Sequence, residues 1–385
     1  SVPQQCRCSF AFRTLVIFNP TEQFRTSVIS VVIDSPDAAV VEAETGRAVD
    51  SQVSAVWVEP SRASTEAFQL DFVAELPPLS LVIYHVTEAS VGSSFRAQYT
   101  FLHHSKTQAV QAQHFQVSHL DADAAPAHLS LSNKHLQTWS PPETGLLQKV
   151  RLQSGLVRQL QVQFLWYGTR ASQEKSGAYL FLPSQEGAQV GPGPGPGPRR
   201  TPSSSCGDYL CVLQLYSSPE PPLVRVSRGP VFSDITTRFQ HVTHRVRLYH
   251  LDGPAGRSLE ISNLVDIRSE VNNELAMRLL TDVANGNRFY TDLNGFQMQQ
   301  RRTLPKLPLQ ANVYPMTSAA LLQDSASRLT LLSAQSQGVA SLKPGELEVM
   351  LDRRLQQDDN RGLGQGVTDN KLTASLYRLL VEDRR

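Results

Sequence analysis

Apolar residues recur at every second position through most of this chain, in short runs cut by proline, glycine, asparagine and aspartate. TLVIF from Thr14 is followed, after Asn19-Pro20, by SVISVVI and then by AVVEA, which Thr45-Gly46 closes. SQVSAVWVE, AFQLDFVAEL and LSLVIYHV come next, divided by Pro60 and by Pro77-Pro78. A period of two with β-branched residues builds half-buried strands. No helical period is sustained beyond about a dozen residues, the length at which an isolated helix becomes even marginal. The class this predicts is all-β, with few helices: a small β-sandwich over residues 11–88 after an irregular start at 1–10, then a large multi-stranded antiparallel β-sandwich over 94–385. Within the second region, LVRQLQVQFLWYGTR places Leu160, Val162, Phe164 and Trp166 on one face. In RFYTDLNGFQMQQRR, Asn294-Gly295 is the pair preferred by a type I′ turn between twisted strands.

One segment breaks the pattern. Residues 185–221 carry four Gly-Pro repeats from Gly191 to Pro198. Proline removes a ladder donor and collagen needs glycine at every third position, so the reading is a flexible surface insert outside the sheets. Cys6 and Cys8 are too close for an easy mutual disulfide, whereas Cys206 and Cys211 have room to bridge a small loop. Four cysteines in 385 residues are no disulfide framework and have no zinc-ribbon spacing. A net charge of +1 and the lack of a basic, aromatic-laced stripe argue against nucleic acid and anionic membrane as partners. No apolar run is long enough to span a bilayer and no signal pattern opens the chain, which leaves a cytosolic protein or a fragment with its targeting segment upstream.

Chemistry concentrates in Gly345 to Asn370, GELEVMLDRRLQQDDNRGLGQGVTDN. It opens as a strand, with Leu347, Val349 and Leu351 alternating with Glu346, Glu348 and Met350. Arg353, Arg354, Asp358, Asp359, Asn360 and Arg361 follow, then Gly362, Gly364 and Gly366. Charges crowded on such a loop are either solvated ion pairs or the lining of a polar pocket, and spacing alone favours the former. Asp358 and Asp359 are sequence neighbours, which a working acid/base pair held apart across a substrate is not. No helix N-terminus follows GLGQG to present phosphate-binding amides. His241 and His244 lie in an alternating stretch that sends them to opposite faces, and His103-His104 share that defect, so no metal site is expected. Tyr179 and Tyr167 read as core or rim aromatics, and no activated nucleophile is visible.

SGAYLFLP (from Ser176), NLVDIR (Asn263 to Arg268), FYTDLNGFQ (Phe289 to Gln297), LPLQANVYP (Leu307 to Pro315), RLTLLSAQ with SL (Arg328 to Leu342) and the Gly345–Asn370 stretch together resemble glycoside hydrolase family 38 in its Golgi α-mannosidase II type. The similarity covers most of Phe12 to Glu382. It implies retaining hydrolysis of α-1,3- and α-1,6-linked mannose on N-glycans in the Golgi lumen. It also implies that zinc and the catalytic carboxylates belong to an N-terminal α/β domain, to which nothing here corresponds, so that this chain is the C-terminal β-half, with no catalytic or metal residue of its own. In that resemblance Tyr179 and the backbone of Arg361 reach the sugar, which turns the reading of the charged loop from solvated to functional, with Asp358, Asp359, Gly362 and Gly364 as its support. The Gly-Pro stretch departs from the family, resembling an insertion beside SGAYLFLP. Two functions follow: the β-half of a mannosidase, inert alone, or a free-standing glycan-binding or scaffold module.

Overall fold

The structure, a computed structural model, describes residues 7–8, 13–89, 94–103, 110–121, 126–170, 174–184, 214–216, 218 and 221–384. Cys6, Cys206, Cys211 and the Gly-Pro repeats lie outside them. The fold is all-β, and the helical elements among the described residues are Gly253–Gly256 and the 3-10 turn Leu309–Asn312, four residues each. Among the described residues no helix is long and apolar enough to cross a membrane.

The chain's first strands make two four-stranded sheets that enclose one core. Val31, Ile33, Phe68, Leu70 and Phe72 from one sheet meet Val40, Tyr84 and Val86 from the other. Alternation explains this directly: in Arg62–Leu76, Phe68, Leu70 and Phe72 are all on the buried side. The Gln52 side chain, fully buried, ties this sandwich to the next region by accepting the amides of Val231 (3.2 Å) and Phe232 (3.3 Å).

The larger region consists of an eleven-stranded and a nine-stranded sheet around a second core. Leu160, Val162 and Phe164 enter that core as the alternation predicted, with Trp166 packed at its margin. Among the described residues the strands pair antiparallel except for Arg7–Cys8 with Arg25–Ile33 and Val117–Asp121 with Gln98–His103, and two isolated bridges, Val53 with Arg96 and Arg62 with Gln111, are also parallel. Parallel neighbours cannot be joined by a two-residue hairpin, so the second pair is no simple hairpin.

One expectation holds with a detail added, and one needs correction. The Asn294-Gly295 turn has both residues at positive φ (52° and 70°), as type I′ demands. The strands nevertheless pair Leu293 with Gln297, leaving Phe296 as an extra residue, 88% exposed, in a three-residue connection. The 185–221 segment is not wholly outside the sheets. Gln214–Leu215 pairs with Trp166 and Leu165, because the alternation resumes once the prolines end.

Candidate functional site

The strand Glu346–Arg354 sits between Asn273–Thr281 and Gln337–Ala340 in the nine-stranded sheet. Leu347 and Val349 fill the core below it. The opposite face is covered as well. Glu348 is fully buried, accepting the Arg278 guanidinium (2.6 and 2.9 Å) and the Tyr167 hydroxyl. Phe181 and Leu309 close over Leu165, Tyr167 and Ala276 on that side. Segment 174–184, which carries SGAYLFLP, thus lies across the outer surface of the sheet.

Past the strand, Leu355 and Val367 exchange backbone hydrogen bonds (2.9 and 2.7 Å), and the residues between them form a closed loop. Asn360, Gly362 and Gly364 take positive φ of 57°, 106° and 75°. Two of these three positions are glycine, the residue that adopts this region without steric cost.

This loop and its strand hold the 174–184 segment by three side chains. Arg353 donates to the Leu180 carbonyl and to Glu274, both at 2.9 Å. The Gln357 amide donates to the carbonyls of Arg170 (2.7 Å) and Ser176 (2.9 Å). Asp359 accepts through one carboxylate oxygen from the amides of Tyr179 (2.7 Å) and Leu180 (3.0 Å), and through the other from the amide of Arg361 (3.2 Å). Asp359 is 3% exposed. Burial pushes its pKa up, but the three backbone N–H groups outweigh that and hold it below the ordinary carboxylate value. Burial raises Glu274 in turn, opposed by Arg353 beside it.

The sequence-predicted residues therefore divide clearly. Tyr179 and Arg361 come together on the two sides of one carboxylate. Tyr179 presents a side chain 63% exposed, and Arg361 is exposed too. Asp358 turns inward on its own loop, accepting the Asn360 amide at 3.1 Å. Arg353 and Gln357 are additional members that sequence spacing did not single out, since the backbone carbonyls they hold, of Leu180, Arg170 and Ser176, are more than 170 residues away.

The histidines lie elsewhere. The strand Val242–Tyr249 begins after His241, so alternation does not relate the pair as expected, and both are buried. His244 faces the core 2.7 Å from the Asn263 side-chain oxygen, and burial pushes its pKa down to about 4. His241 packs on Trp166 and Tyr216, 3.0 Å from Glu270. Zinc requires three or more converging N, S or O ligands. Among the described residues no such group of His, Cys, Asp and Glu exists, so they do not fit that ion.

Residues 131–361 match the family described as "Glycosyl hydrolases family 38 C-terminal domain". The chain is 47% identical over 373 residues to α-mannosidase 2 of Rattus norvegicus, covering 97% of this chain and 30% of that one. It is 44% identical to α-mannosidase 2 of Homo sapiens, covering 100% and 31%, and 26% identical to human lysosomal α-mannosidase, covering 92% and 32%. The chain thus spans about a third or less of the length of these relatives. Among solved structures, an α-mannosidase from Enterococcus faecalis V583 shares the fold with a TM-score of 0.60 at 12% identity, over 97% of this chain and 43% of that one. More than half of the sequence, including both the SGAYLFLP segment and the loop as far as Arg361, falls within the matched region, and the chain belongs to glycosyl hydrolase family 38 through its C-terminal domain.

Proposed function

We propose that this chain is the β-portion of a retaining α-mannosidase that trims α-1,3- and α-1,6-linked mannose from N-glycans in the Golgi lumen. In this reading Tyr179 and Arg361 contact the sugar, while zinc and the reacting carboxylates belong to an N-terminal α/β part of the enzyme outside these 385 residues. What the chain itself contributes is placement. A tyrosine hydroxyl donates or accepts and a backbone carbonyl accepts, so each can hydrogen-bond a sugar hydroxyl. Holding such groups rigidly lowers the entropic cost of orienting substrate.

The observation that supports this best is the Asp359 carboxylate, which brings the Tyr179 and Arg361 backbones to one point of the surface. The names of the relatives, α-mannosidases from two mammals, support the substrate class. Turnover of an aryl α-mannoside tests the reading. With zinc added, the isolated chain is expected to be inactive, and the full-length enzyme carrying Tyr179→Phe to lose about fivefold in kcat/KM, the value of one neutral hydrogen bond. Clear turnover by the isolated chain, or an unaffected Tyr179→Phe enzyme, would overturn it.

A further inference from the structure

We propose that Asp359 is a positioning residue that sets the Tyr179 side chain and the Arg361 carbonyl as a single unit, so that neither sugar contact can be placed without the other. The proposal rests on the reading of Tyr179 and Arg361 as sugar contacts and goes beyond it by assigning how they are coupled.

Three features of the geometry carry it. Asp359 is the one side chain among the described residues that hydrogen-bonds both backbones, since Arg353 and Gln357 reach the 170–180 stretch but not the Arg361 turn. All three groups it meets are N–H donors, of Tyr179, Leu180 and Arg361. An ionised carboxylate is acceptor-only and satisfies all of them, whereas an asparagine would turn an N–H2 toward at least one. Finally, the Arg361 turn has little intrinsic preference for its shape. Asn360 and Gly362 flank it at φ of 57° and 106°, and glycine loses more freedom on ordering than other residues. The Arg361 amide bonds the carboxylate of Asp359, two residues before it, and that carboxylate is in turn held by the Tyr179 and Leu180 amides, which ties the turn to segment 174–184. Gln357 and Arg353 would still hold segment 174–184 near the sheet if Asp359 were changed, so the expected defect is misorientation rather than loss of the fold.

The test is a double-mutant cycle in the full-length enzyme, read as kcat/KM for an aryl α-mannoside. Asp359→Asn is expected to lower kcat/KM more than Tyr179→Phe does. Adding Tyr179→Phe to Asp359→Asn is expected to change it by less than about twofold, because contacting groups are non-additive. Full additivity sinks the coupling while leaving the sugar-contact reading intact. A Tyr179→Phe enzyme with no defect instead sinks the sugar-contact reading. A second measurement needs no variant: acid titration of the unmodified chain followed by backbone amide NMR. The amides of Tyr179, Leu180 and Arg361 are expected to shift together with one midpoint below the ordinary carboxylate range, and independent midpoints for the three would overturn the tether.

Discussion

Gly177 lies so close to Asp359 that a Cβ added to it would come within 2.5 Å of both the Asp359 amide nitrogen and its Cβ. One of the two is a backbone atom and the other is fixed directly to the backbone, so neither can swing aside as the end of a flexible side chain would. Gly177 also donates its amide to the Leu180 carbonyl (3.0 Å), closing the tight turn that presents Tyr179. The glycine of SGAYLFLP is therefore what allows segment 174–184 to reach the loop around Arg361.

Gly177→Ala is accordingly expected to push the two segments apart. Overpacking at a well-filled contact costs typically about 1–3 kcal/mol. Urea unfolding should show a lower midpoint with an unchanged slope, and the amide resonances of Tyr179 and Leu180 should move. A variant with wild-type stability and unmoved resonances would show that the contact is not close in solution.

Removing Glu348 should be more damaging than its single position implies. It is the fully buried carboxylate that pairs Arg278, and Glu346 touches the same guanidinium only at 3.5 Å. Breaking a buried pair by deleting one partner costs about 3–5 kcal/mol, because the remaining charge is left uncompensated. Glu348→Leu should show that loss in denaturant unfolding. Combining it with Arg278→Met should recover most of it, since apolar replacement of a whole buried pair is often neutral.

His244 predicts a pH dependence of stability. Its folded pKa of about 4 lies below the ordinary 6.5, because burial disfavours the charged ring. The unfolded chain therefore binds the proton more readily between those values. Stability is full above the ordinary value and falls as pH drops toward the folded one, with about 2 kcal/mol lost between about pH 7 and about pH 5. His244→Phe should flatten this part of the stability profile. An identical profile in the variant would assign the dependence elsewhere.

Asp292 behaves in a different pH window. It accepts the amides of Ser318, Ala319 and Gly295, each at 2.8 Å, and the Ser318 hydroxyl at 2.9 Å. Burial pushes its pKa up, but these bonds prevail and bring it to about 2. A depressed carboxylate stabilises the fold above its unfolded pKa and loses that contribution as pH falls through the folded one. Asp292→Asn should therefore be less stable than the parent at neutral pH, with the gap closing as pH approaches about 2. A gap that persists in acid would mean that the bonds do not depend on the charge.

Much of the fold was legible in local pattern. The alternation of Leu160, Val162 and Phe164, and of Leu347 and Val349, placed each on the core side. That works because a strand sends successive side chains to opposite faces wherever it is placed. The covered outer face of Glu346–Arg354 was not legible, since alternation with glutamate reads as solvent exposure. Glu348 is buried there because Arg278 and Tyr167 come from strands that neighbour it only in the folded sheets. The turn at Asn294-Gly295 was read correctly in its dihedrals, while the length of the connection is decided by the register of its strands.

The sequence by itself determined the class of the chain, the faces of its main strands and, through long motifs, its family. It also marked Tyr179 and Arg361, but only by resemblance. That the two share one carboxylate was decided by tertiary structure, since Tyr179 and Asp359 are 180 residues apart. Periodicity is a property of the local backbone, whereas the meeting of two distant loops depends on sheet order and on packing across the whole core, and no window of sequence encodes that.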